Sequence, residues 1–146
     1  MIITFLVLTN TGILLFIAFL HYYWAAGGKW RRNTAIPSTI EENKVFHPGK
    51  LGTYLVATGL YVFAFLTLSS AGLFSPVVSP SVSLYGNLAI GIIFLLRVVG
   101  DVKYIGLFKK IKTTSFARSD TKLYTPLCLI IAAVAFSISF KLHRSL

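Results

Sequence analysis

Residues 2–24 read IITFLVLTNTGILLFIAFLHYYW, a run with no acid, lysine or arginine. About 20 such residues cross the hydrocarbon core of a bilayer as an α-helix. No basic segment precedes the run, it is longer than a signal-peptide core, and it passes into aromatics rather than a small-residue cleavage site. It therefore reads as a membrane-spanning helix.

Working outward, three more stretches have that length and character, giving spans at about 2–25, 51–73, 82–100 and 123–142. His47-Pro48-Gly49 sets off the second, which closes near Ser69-Ser70 and Gly72. Pro76 and Pro80 punctuate the turn to the third. The fourth has two possible starts. Thr125 can cap it with Pro126 in the first turn, where a missing N–H costs nothing. If it begins near Asp120, Pro126 falls inside and should bend it. The fold class expected is all-α: a polytopic membrane protein, a four-transmembrane-helix bundle forming one membrane domain over residues 1–146, with long loops at about 26–50 and 101–122.

Composition agrees. The 146 residues are 55% hydrophobic and 12% charged, and the mean hydropathy is +0.77. A soluble domain of this size carries more polar surface. The net charge of +10 does not point to nucleic acid, because the bases lie in short patches flanking apolar runs. One cysteine, Cys128, excludes an internal disulfide and a multi-cysteine metal site.

Charge also orients the chain. Lys29, Arg31, Arg32, Lys44 and Lys50 follow the first span; Arg97, Lys103, Lys109, Lys110, Lys112, Arg118 and Lys122 surround the end of the third. Those twelve bases share one side, against Lys141 and Arg144 on the other. The positive-inside rule places both long loops in the cytoplasm and both termini outside, in the cell's inner membrane. All four acids, with His21 and His47, fall on the same side.

That side holds the candidate site. By helical rise, His21 and Asp101 both lie about 28 Å from the outer end, with Arg97 one turn deeper than Asp101. If spans one and three are neighbours, His21, Arg97 and Asp101 converge. Tyr124 enters at a similar level, Asp120 sits just outside, and Tyr22, Trp24 and Tyr104 contribute to an aromatic rim. Such a cluster suits an anionic headgroup, with Arg97 as forked donor and His21 exchanging protons. A purely structural reading also holds: Arg97 and Asp101 neutralise each other at a helix end, and the His21–Trp24 stretch anchors the span at the interface. Residues 102–111 place Val102, Ile105, Phe108 and Ile111 against lysines, a pattern for a short amphipathic segment on anionic lipid or for a plain basic loop. Asn10 and Asn87 are expected to bond between helices. Cys128 is expected to pack.

Signatures of common enzymes are missing: no Gly-rich phosphate loop, no HExxH, no Gly-x-Ser-x-Gly. Three scattered histidines give no metal or haem site, so no metal and no cofactor are expected. The leading functional expectation is a binding or accessory protein that engages a lipid headgroup, anionic ones included, or a partner membrane protein. The alternatives are a small enzyme acting on a lipid or lipid-linked phosphate and a homodimeric transporter.

The stretch His21-Tyr22-Tyr23-Trp24-Ala25-Ala26-Gly27-Gly28 and the longer one Arg97-Val98-Val99-Gly100-Asp101-Val102-Lys103-Tyr104-Ile105-Gly106, followed by Phe116-Ala117-Arg118-Ser119-Asp120-Thr121 and Tyr124-Thr125-Pro126-Leu127-Cys128, carry a resemblance. Together they resemble a domain-of-unknown-function family of small bacterial four-span membrane proteins. Val102 and Thr125 stand where that family's pattern has an aromatic and a serine. The resemblance implies the four-span fold and one inner-face feature built from these residues, and no activity.

Overall fold

The structure, a computed structural model, describes residues 1–72 and 78–145. Its helices are α1 (Ile2–Ala25), the short α2 (Arg32–Ala35), α3 (Lys50–Ser69), α4 (Pro80–Val99), α5 (Ser115–Ser119) and α6 (Thr125–His143). A π-helical turn, Asp120–Tyr124, joins α5 to α6, so residues 115–143 form one helical rod. Among the described residues four helices are long and apolar enough to cross a membrane, as the hydropathy pattern predicts. In lipid only internally hydrogen-bonded segments can span, and helices meet that demand within one segment.

The helix ends refine the expected spans. The third span begins at Pro80 rather than 82: Ser79 Oγ accepts the Val82 N–H, and Pro80 occupies the first turn. Pro80 thus opens a helix, while Pro76 lies outside the described residues. The second span stops at Ser69, short of 73, with the Ser70 and Ala71 N–H groups closing back on Thr67 O and Leu68 O. The fourth takes the longer of its two starts. Thr114 Oγ1 accepts the Ala117 N–H, so the cap is Thr114 and Thr125 is already helical. Pro126 therefore lies inside the rod, and the wide turn before it, with Thr125 N–H reaching back to Asp120 O, accommodates the break.

α1 packs mainly on α3 and α4 mainly on α6, giving two antiparallel hairpins. Sparser α3–α4 and α1–α6 contacts close the ring, which leaves α1 and α4 on a diagonal. The core between them is Leu14, Leu60, Ile90, Phe94, Val98 and Ile131, with Ala18, Ala64, Ala132 and Ala135 at the close approaches. Small residues let helices approach closely where lipid supplies no hydrophobic drive. Gly91 does so most severely: a Cβ there would lie 2.7 Å from the Phe136 ring. Cys128 joins this core. Outward, Phe5, Phe16, Phe19, Leu55, Leu96 and Phe140 stay exposed, as a lipid-facing surface requires.

Two amides cross the apolar interior differently. Asn87 bonds between helices, donating to Ser70 Oγ at 2.9 Å and to Ser83 O at 2.8 Å while Thr67 Oγ1 donates to its Oδ1. Asn10 is fully buried yet has no partner for either end of its amide among the described residues. The expected interhelical bond is therefore present for Asn87 and absent for Asn10.

Candidate functional site

Both long loops fold over one end of the bundle, and the polar side chains there form three separate constructions. The first is centred on Asp120, which is fully buried at the start of the π-helical turn. Its Oδ1 accepts from Arg97 Nη2 at 2.7 Å. Its Oδ2 accepts from Gly106 N at 2.9 Å, Lys109 Nζ at 3.0 Å and Thr125 Oγ1 at 3.2 Å. A carboxylate so enclosed must be paired and fully hydrogen-bonded to remain charged, and here two cations and two neutral donors do it.

Arg97 therefore pairs with Asp120, not with Asp101 as the four-residue spacing suggests. The reason is local. α4 ends at Val99, and Gly100 turns the chain at φ +79°, where a Cβ would lie 1.8 Å from Ile105 O. Asp101 thus leaves the helix axis and never shares a face with Arg97. Its Oδ1 instead accepts the backbone N–H groups of Lys103, Tyr104 and Ile105 at 3.0, 2.6 and 2.9 Å. Burial alone would raise the Asp101 carboxyl, but these three N–H groups hold it below the usual aspartate value.

The same capping gives residues 102–111 a folded loop, the second of the two readings of that stretch, rather than a segment lying along the interface. The segment is irregular, folded around Asp101, and returned to α4 by Leu107 N–H on Val98 O at 2.8 Å. Gly106, at φ +85°, sits so close to Val98 O and Val99 O that a Cβ would meet them at 2.5 and 2.6 Å. Lys109, one of the lysines that the pattern sets against the apolar residues, is buried and also donates to Gly106 O. Phe108 and Val102 are exposed.

The second construction ties the hairpins together. Glu42, in a turn at φ +61°, accepts the Ser115 N–H and Ser115 Oγ–H, both at 2.8 Å, and Ser38 Oγ–H at 3.2 Å. It caps the positive end of the rod that runs through α6. The Ser115 backbone bond, followed by its hydroxyl, keeps the Glu42 carboxyl below its ordinary value of 4.5.

The third is a cavity of about 380 Å³ between α1, α3 and the loop joining them. His21, Trp24, Arg32, Phe46 and Val56 are among its walls, and none of its lining residues is acidic. His21 Nδ1 lies 2.8 Å from Ile17 O, so Nδ1 carries the proton and donates it. Nε2 is then the free nitrogen. Trp24 packs edge-on against His21 at 5.0 Å and donates Nε1–H to Trp30 O at 2.8 Å. Gly28 lies against the Tyr23 ring, where a Cβ would come within 2.3 Å, which folds the loop back over α1.

The predicted cluster is thus divided. His21 and Trp24 belong to the α1–α3 cavity, Arg97 and Asp120 to the buried ion node, and Asp101 to the loop. His21 does not meet Arg97 because their helices are diagonal neighbours. Tyr22 hydrogen-bonds Thr58 Oγ1 at 3.0 Å and packs near Tyr54. Tyr104 lies beneath Lys103 Nζ at 5.1 Å, and Tyr124 packs on Phe116. Asp120, expected just outside, is the most enclosed acid of the four. Arg32, Lys109 and Glu42 were not singled out by sequence. Nothing in a basic loop distinguishes the base that will be buried. The Gly100 and Gly106 pair flanking Asp101 was the available sign of a tightly folded segment.

The fold and this loop-bearing end define an integral membrane protein: a four-helix bundle with all four of its acidic residues and twelve of its fourteen lysines and arginines at one end. The chain belongs to the family described as protein of unknown function (DUF3995), whose profile matches residues 14–135. Neither a curated protein nor a solved structure matches it.

Proposed function

We propose that the protein binds the headgroup of an anionic lipid in the cavity between α1, α3 and their connecting loop, and that this end faces the cytoplasm. The observation that carries the reading is the cavity's charge. Half-buried Arg32 lines it beside His21, no carboxylate shares the lining, and Arg32 has no ion-pair partner among the described residues. A guanidinium in a partly apolar wall presents a forked donor suited to phosphate or carboxylate oxygens. Ile36, Phe46 and Val56 supply the apolar wall against which the glycerol and upper acyl carbons would lie.

A second reading, a small enzyme acting on a lipid phosphate, is favoured by His21. With Nδ1–H committed to Ile17 O, Nε2 is held in one tautomer at the cavity, the arrangement of a general base. One experiment addresses both readings. The detergent-solubilised protein is titrated with phosphatidylglycerol and with phosphatidylcholine and read by native mass spectrometry, for wild type, Arg32→Gln and His21→Gln. Loss of one charge-assisted bond should weaken phosphatidylglycerol by roughly tenfold in Arg32→Gln. Equal binding of the two lipids, unchanged by Arg32→Gln, would sink the binding proposal. If wild type also turns over a lipid phosphate, His21→Gln should abolish turnover while keeping most of the binding.

A further inference from the structure

We infer a second anion site on the other hairpin, beside the Asp120 node, that takes the phosphate of an anionic phospholipid. It rests on different residues from the His21 cavity and stands or falls separately.

Charge is the starting point. Asp120 is shared by two cations, Arg97 and Lys109, so the node carries one positive charge in excess. No other acid is placed to balance it. Asp101 is spent on three backbone N–H groups, Glu42 on Ser115 and Ser38, and Glu41 on Asn43. Arg97 Nη1 is buried with no partner among the described residues, but Arg97 is not in the wall of the cavity that opens on Lys109, so Lys109 is the node's donor to that space. Lys109 has three N–H donors and uses two of them. An uncompensated cation withdrawn from water is costly, and an anion brought to it recovers that cost.

The space for the anion is present. A cavity of about 270 Å³ opens against Lys109, with Lys112 and Thr121 also in its wall. Lys112 is exposed and has no acidic partner among the described residues, so it adds a third cation, in the cavity wall. The π-helical turn forms part of the same wall, and such wide turns recur at functional sites. Loop 101–111 holds Lys109 in place through the Asp101 bonds and the close packing at Gly100 and Gly106. The cationic group is therefore positioned before any ligand arrives.

Polarity along the cavity selects a lipid. Its polar residues are Lys109, Lys112, Thr121 and Thr125, and the Thr125 hydroxyl is already committed to Asp120. Its apolar residues are Leu107, Pro126 and Leu129, and Leu129 is eight positions beyond Thr121 along the rod, ~12 Å deeper into the bundle. Leu107 and Leu129 are exposed. A phosphate at Lys109 and Lys112 would thus have its acyl chain descending past Pro126 and Leu129. A soluble phosphate would leave that apolar wall unused.

The test is phosphatidylglycerol binding to the intact detergent-solubilised protein by native mass spectrometry, comparing Lys112→Gln, Lys112→Glu and Arg32→Gln with wild type. Lys112 is exposed, so its replacement leaves the fold intact. A base near the surface contributes about fivefold in affinity, so Lys112→Gln should weaken one of two bound lipids by about fivefold and Lys112→Glu by ~25-fold. Arg32→Gln should affect only the other lipid. The proposal is overturned if both Lys112 variants bind as wild type, or if Lys112→Glu and Arg32→Gln weaken the same single lipid. A parallel arm adds inorganic phosphate to about 10 mM. Undiminished lipid binding supports the phospholipid assignment; displacement of the Lys112-dependent lipid at that level assigns a soluble phosphate and overturns it.

Discussion

Replacing Asp120 by asparagine tests the centre of the loop-bearing end with a change of a few atoms. Asparagine has nearly the same shape, but it puts an NH2 where one carboxylate oxygen accepts, and it removes the one negative charge that pairs with Arg97 and Lys109 among the described residues. The carboxylate is fully buried and accepts four bonds, so no solvent can replace what is lost. Breaking one partner out of a buried ion pair costs about 3–5 kcal/mol, and two cations are stranded here. At roughly 2–4 °C per kcal/mol for a chain of this size, unfolding should fall by roughly 6–20 °C. Buried Cys128, the single cysteine, is a native reporter: a thiol-reactive fluorophore labels it only as the bundle opens on heating in detergent. Asp101→Asn is the control. Its accepting oxygen survives and the residue is exposed, so the loss should stay within about 1 kcal/mol. Removing the excess as well, in Asp120→Asn with Lys109→Met, should recover part of the loss. If Asp120→Asn unfolds within 2 °C or so of Asp101→Asn, the ion node does not hold this end together.

Asn10→Leu should raise the unfolding temperature or leave it unchanged, because it removes an amide with no partner among the described residues, whereas Asn87→Leu should cost about 1 kcal/mol of stability, roughly 2–4 °C, for its interhelical bonds; the same thiol assay reads both, and a larger loss at Asn10 would refute the assignment. The Glu42 latch has a pH sign. Its folded-state pKa is depressed, so its contribution is complete above 4.5 and is lost as pH falls through the lower folded value. Hydrogen exchange of residues 37–45 and 114–119, corrected for intrinsic rates, should therefore accelerate in acid below 4.5, and Glu42→Gln should show the loss already at neutral pH. Unaltered protection in both cases would remove the latch. For the proposed orientation, S81C should react with an impermeant thiol reagent in intact cells and T113C should not; reversed labelling would place the loops outside.

The spans were legible because an apolar run of about 20 residues has one solution in lipid, a helix, and the chain contains four of them. The polar end was legible only in depth. Helical rise gives the level of His21 and Arg97 correctly at the loop-bearing end, but it carries no information on which helices are diagonal, and that separates them. Sequence proximity likewise favours Asp101 as partner for Arg97. The actual partner, Asp120, is 23 positions away, and Lys109 joins it from a loop whose fold depends on two positive-φ glycines. Asp120 reaches Arg97 because the rod begins at Thr114 and passes through a π-helical turn, which a reading that starts the helix at Thr125 does not contain.

The buried bases also bear on orientation. Of the twelve bases at the loop-bearing end, Lys109 is enclosed and Arg97 is tied to Asp120. Setting both aside still leaves ten bases at the loop-bearing end against Lys141 and Arg144 at the other, an excess of the sign that the proposed cytoplasmic orientation requires. What changes is the role of the remainder. Lys103, Lys110, Lys112, Arg118 and Lys122 have no ion-pair partner among the described residues and surround the end that carries both cavities. A field of this kind draws anionic headgroups to that end and falls off within a Debye length. The bases that orient the chain would thus also concentrate its proposed ligand there. High salt should weaken phosphatidylglycerol capture while leaving the Asp120 node, shielded from solvent, nearly unaffected.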